Sequence, residues 1–233
     1  MQLSTVIRGI STQCEKRKPV EVRFFHLVWI FLICSFLGLV GETLVSYVID
    51  GRWESRAGFV FGPLSLIYGA GAVLFTLAVN PLRGHSAAVQ FVTAAFAGGL
   101  FEYFAGTFFE MRYGIVAWSY IDQPFNLHGH TSLRMALVWG VIGLTWTLWL
   151  LPKVTALVER IPANMRHLLT GILFALLIMD ATCTLVAFDC WFLRTSGIEP
   201  TTPTQQFFAT FFNDAFMQSR FETMSMWPVL AAR

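Results

Sequence analysis

The stretch FFHLVWIFLICSFLGLVGETLVSYVI, Phe24 to Ile49, contains one acid, Glu42, and no Lys or Arg. It is long enough to cross about 30 Å of hydrocarbon. Arg8, Lys16, Arg17, Lys18 and Arg23 precede it, a layout that superficially resembles a secretory signal. The run is too long for a signal core and lacks an A-x-A-like cleavage site, so the expectation is a retained membrane anchor. Composition extends the reading to the whole chain of 233 residues, which is 55% hydrophobic and only 13% charged, against about 25% charged in ordinary soluble domains. Mean hydropathy is +0.60. Too few ionised side chains are present to dissolve a globule of this size, while Phe 23 and Trp 8 suit lipid-facing and interfacial surfaces. A net charge of +2, with no basic run beyond Glu15-Lys16-Arg17-Lys18, argues against a nucleic-acid partner.

Four further apolar stretches, Leu64 to Asn80, Ala87 to Glu110, Ser132 to Leu151 and His167 to Leu193, predict five transmembrane helices. The fold class expected is therefore all-α, a polytopic membrane bundle. Its parts are a cytoplasmic segment 1–23, a transmembrane domain 24–193 and an amphipathic tail 194–233. With the N-terminus inside, nine Lys and Arg lie on the inner side against five on the outer, leaving aside Arg220 and Arg233. The expected location is the inner (plasma) membrane, with a cytoplasmic N-terminus. In the tail, Phe207, Phe208, Phe211, Phe212 and Phe216 recur near helical spacing behind Thr202-Pro203, but polar residues interrupt them. One amphipathic interfacial helix is expected there, with docking of the same Phe residues on the bundle as the alternative. Cys14, Cys34, Cys183 and Cys190 form no disulfide framework; the last two, seven residues apart on one helix, are separated by about 10 Å.

Acids within such helices are costly, at about 2.5 to 3.5 kcal/mol for a charge at the bilayer centre, and they mark bundle interiors or watery cavities. Glu42, Glu102, Glu110 and Asp189 fall toward the outer side, and Asp180 falls near mid-membrane. Glu102 and Glu110 are eight apart and share one broad helix face, whereas Asp180 and Asp189 point oppositely. The outer loops add Arg52 and Arg56, then Trp118, Tyr120, Asp122, Asn126, His128 and His130. A polar pocket beneath the outer face is one reading, and polar side chains that only fix helix packing is the other. His128-x-His130 matches no metal-binding pattern, so neither metal nor cofactor is expected, and no nucleophile elbow points to an enzyme.

Ordered blocks carry a family resemblance: Ser35, Gly38 and Glu42; Gly58-Phe59, Gly62-Pro63 and Ile67-Tyr68-Gly69; Glu102-Tyr103 with Glu110; Trp118 and Tyr120; Asn126, Gly129 and Trp139-Gly140. Across Phe24 to Pro152 the chain resembles the ABC-transporter type IV family, the CmpB-like permeases. The resemblance implies a permease and a separate ATP-binding subunit, since no G-x-x-x-x-G-K-[ST] loop occurs in this polypeptide. Lys153 to Arg166 is the inner segment available for docking such a subunit. The expected binding set is Glu42, Arg56, Tyr68, Glu102, Tyr103, Glu110, Trp118, Tyr120, Asn126 and His130, serving a small solute or a proton. Two alternatives stand beside it: a membrane-embedded enzyme acting on a lipid-linked substrate, and a non-transporting assembly or sensor protein. Membrane lipid is an expected partner, and a homo-oligomer stays open.

Overall fold

The computed structural model describes residues 17–226. Expectations for Arg8, Cys14, Lys16 and Arg233 lie outside those residues. Helix α1 covers Phe24–Asp50 and stops at Gly51, whose left-handed φ of 68° lets its N–H cap the Tyr47 carbonyl at 2.9 Å. Helix α2 covers Leu66–Ala78, α3 Ala87–Tyr113, α4 Leu133–Thr145, α5 Leu151–Glu159 and α6 Ala163–Thr195. A π-helical turn, Trp146–Leu150, joins α4 to α5 as one continuous rod. Among the described residues, four helical rods, α1, α3, the α4–α5 rod and α6, are long and apolar enough to cross a membrane. Their outward positions, such as Val48, Phe96, Phe104 and Leu168, expose apolar side chains, as lipid-facing surfaces do.

The second expected span differs from the other four. At 13 residues α2 is about 20 Å long, too short to cross alone. It starts halfway along α1, where Ser65 N–H donates to the Ser35 carbonyl at 3.2 Å and Ser35 Oγ donates to the Ser65 carbonyl at 2.9 Å. It then runs antiparallel to α1 and ends beside the residues that precede it: Val20 N–H donates to Asn80 Oδ1, and Asn80 Nδ2 to the Val20 carbonyl, both at 2.9 Å. The chain thus returns from one end of α1 to the other as a non-helical segment followed by a half-length helix.

Small residues set the helix spacing. A Cβ on Gly38 would fall 2.3 Å from Tyr68 Cγ, and one on Gly98 would fall 2.4 Å from Trp139 Cβ, so α1 meets α2, and α3 meets α4, at glycine notches. The π-helical turn has a local cause in Pro152, which lacks the N–H that would satisfy the Leu148 carbonyl and crowds it as well. Arg17 Nη1 donates to that buried carbonyl at 2.8 Å instead.

The C-terminal segment forms two helices rather than one, α7 at Pro203–Phe211 and α8 at Asp214–Arg220. Asn213 breaks the run and restarts it, its Oδ1 capping the Phe216 N–H at 2.9 Å. Phe208, Phe212, Met217 and Phe221 are buried against Tyr113, Ile115, Phe188 and Trp191, while Phe207 and Phe211 face outward. Docking on the bundle and an outward apolar face therefore coexist. A short antiparallel pair, β1 (Ile115–Val116) with β4 (Ser225–Met226), ties this segment to the loop after α3. A second pair, β2 (Asn126–Leu127) with β3 (Thr131–Ser132), forms a hairpin over the end of α3.

Candidate binding site

Residues 52–65 place non-helical backbone at the depth of the bundle's middle, with Ala57, Phe59 and Val60 buried. Backbone groups at such depth need protein partners. Asp180 and Thr184, one turn apart on α6, provide them: Phe61 N–H donates to Asp180 Oδ1 at 3.1 Å and Val60 N–H to Thr184 Oγ1 at 2.9 Å. From α8, Arg220 Nε donates to the Phe59 carbonyl at 2.8 Å and its Nη2 bonds the Gly62 carbonyl. Ser55 is held by Glu222 Oε2 at 3.0 Å and by the Arg220 carbonyl at 2.6 Å. The segment is a re-entrant loop clamped from two sides.

This clamp positions Arg56. Its Nη2 donates to Ser46 Oγ at 2.7 Å and Glu54 Oε2 at 2.9 Å, and its Nη1 lies 3.5 Å from Glu42 Oε1. Arg56 Nε is buried without a hydrogen-bond partner. Glu42 also interacts with Tyr68 on the first turn of α2, and Tyr68 is in electrostatic reach of Glu102 on α3. Carboxylates from two helices and the re-entrant loop's cation thus belong to one cluster.

Glu102 is 3% exposed. Tyr120 Oη donates to its Oε1 at 2.9 Å and Thr131 Oγ1 to its Oε2 at 2.8 Å. The indole N–H of Trp139 is buried nearby without a hydrogen-bond partner. Among the described residues these donors are all neutral, and no guanidinium or ammonium is paired with Glu102. Burial, and after it the charge of Glu102, pushes the Tyr120 hydroxyl above its ordinary pKa range, so Tyr120 acts as a donor at neutral pH.

The rest of the expected set surrounds this centre. Glu110 Oε2 meets His130 Nε2 at 2.9 Å, in a notch where a Cβ on Gly106 would fall 2.9 Å from His130 Nδ1. Trp118 Nε1 donates to the His130 carbonyl at 2.8 Å, and the Tyr103 hydroxyl and His128 Nδ1 lie 3.1 Å apart. Asn126 folds its own loop instead: Nδ2 donates to the Ile121 and Gln123 carbonyls, and Oδ1 accepts from Gly129 N–H. The two histidines part company, one toward Tyr103 and one toward Glu110. Asp189 pairs with Arg112 at 2.6 Å on the bundle's flank. Asp180, which points away from Asp189 on α6, holds the loop that carries Arg56; the sequence signal for that role is the apolar run Phe59-Val60-Phe61 inside a loop.

Two cavities border other parts of the molecule. One of about 470 Å³ touches Trp29, Leu157 and Ile161 near the N-terminal end of α1, and one of about 10 Å³ lies beside Cys190 and Pro200. Neither is lined by Glu42, Glu102 or Glu110, whose neighbours are the groups named above.

The long apolar helices and the interior polar cluster define a multi-pass membrane protein. The family model described as Putative ABC-transporter type IV matches residues 29–185, more than half of the chain. The chain belongs to that family. The match begins inside α1 and extends past Pro152, where the recognisable motifs end, through Asp180 and Thr184 on α6. No curated protein and no solved structure matches the chain.

Proposed function

We propose that this chain is the membrane-embedded subunit of a transport system, and that the cluster around Glu102 engages a small solute or a proton. The observation that carries the reading is the Glu102 carboxyl, 3% exposed and bonded only to neutral donors among the described residues. Burying an ionised carboxylate with no counter-charge is expensive. A site built this way is suited to taking up a proton or a cationic group. Arg56 Nε, buried and unpartnered in the same cluster, is a donor for a polar solute. Access requires Arg56 to part from Glu42, or the hairpin that bears Thr131 to lift from α3.

In this reading the N-terminus is cytoplasmic and the cluster lies toward the outer face of the inner membrane. ATP hydrolysis is supplied by a separate subunit that docks on the turn after α5. A second reading, a non-transporting assembly protein, draws on the ion pairs that occupy Glu42, Glu54, Glu110 and Asp189. Thermal-shift measurements in detergent against ions, amino acids and lipid head groups separate the two. The transport reading expects at least one ligand-induced shift that the nearly isosteric Glu102→Gln variant loses. Equal ligand responses in both proteins, with only a lowered melting temperature in the variant, would favour the assembly reading.

A further inference from the structure

The cavity of about 470 Å³ near the start of α1 lies far from the carboxylate cluster, and its chemistry is different. It is lined by Trp29 and Ile33 from α1, Leu157 and Val158 from α5, and Arg160 and Ile161 from the turn that leads to α6. Trp29 and Ile33 are one turn apart on α1, about 6 Å along its axis, and His26 Nε2 lies 3.0 Å from Glu159 Oε1, so the groove opens just beyond the level of the turn after α5 and runs along α1 toward the bundle's middle. Trp29 is fixed as a wall by its Nε1 bond to Thr170 Oγ1 at 2.9 Å.

Charge separates the mouth from the groove. Arg166 is engaged: it bonds Glu159 and the Ile161 carbonyl and lies 4.9 Å over the Phe25 ring. Arg160 is exposed, and among the described residues no carboxylate or carbonyl pairs with its guanidinium. An apolar slot with an exposed, unengaged arginine among its lining residues matches a molecule with an aliphatic tail and an anionic head.

We propose that this groove binds an anionic glycerophospholipid of the leaflet on the α1 N-terminal side, with an acyl chain between Trp29, Ile33 and Leu157 and the phosphate at Arg160. Native mass spectrometry of the purified full-length protein, with equal amounts of phosphatidylglycerol and phosphatidylcholine carrying the same chains, tests it. Wild type should retain phosphatidylglycerol about fivefold over phosphatidylcholine, the preference one basic side chain confers near an anionic surface. Arg160→Gln should abolish the preference, and Leu157→Trp should lower retention of both lipids by filling the slot. Both positions are exposed, so melting should stay unchanged and report intact folding. Absence of a preference in wild type, its persistence in Arg160→Gln, or undiminished lipid retention in Leu157→Trp would overturn the proposal.

Discussion

Glu102 and Tyr120 show how a membrane interior shapes the chemistry of single side chains. The acid is legible in the sequence because a carboxyl amid apolar residues needs a reason to be there. Its partners are less legible: Tyr120 and Thr131 lie 18 and 29 residues away, in a loop and a hairpin whose course depends on left-handed backbone at Phe125, His128 and Gly129. Asn126 illustrates the converse. An Asn in a motif reads equally well as a ligand or as a turn former, and here its amide closes the turn. Replacing Tyr120 by Phe removes one donor from a buried carboxyl without changing shape. We expect a loss of about 1 to 3 kcal/mol of stability, read by denaturant titration in mixed micelles; a change below about 0.5 kcal/mol would show that Tyr120 is dispensable to Glu102.

The element that departs most from expectation is the second span. Hydropathy finds Leu64 to Asn80 and describes a crossing, yet the helix covers only Leu66–Ala78 and the other half of the path is non-helical. Gly58, Gly62 and Pro63 read as ordinary loop punctuation, and no local pattern states that Asp180 and Thr184, over 110 residues later, accept the loop's N–H groups. The continuous spans were legible because length and apolarity suffice for them. The broken one depends on long-range hydrogen bonds. Asp180→Asn keeps an acceptor for Phe61 N–H, whereas Asp180→Ala orphans it. Hydrogen exchange at residues 58–62 should therefore quicken at least tenfold in Asp180→Ala and much less in Asp180→Asn, with global melting lower in the alanine variant. Equal protection in all three proteins would show that α6 does not hold the loop.

At the scale of the molecule, two ends with different chemistry face each other across the bundle. Around the N-terminus of α1, basic residues Arg17, Arg23, Arg83, Arg160 and Arg166 gather with the apolar groove. At the opposite end, the C-terminal helices and the re-entrant loop enclose the carboxylates, and the C-terminal segment contributes Arg220 and Glu222 to that enclosure rather than lying apart as a tail. Membrane character, family and the carboxylate side of the bundle could be read from composition and motif order. The enclosure could not, because it is made by contacts between the first and last quarters of the chain. The most direct test of the transport reading is flux in proteoliposomes, of protons and of whichever solute the binding screen selects, with wild type and Glu102→Gln compared at equal incorporation and equal melting temperature. The account predicts at least a tenfold loss of flux in the variant; equal flux in the two proteins would contradict it.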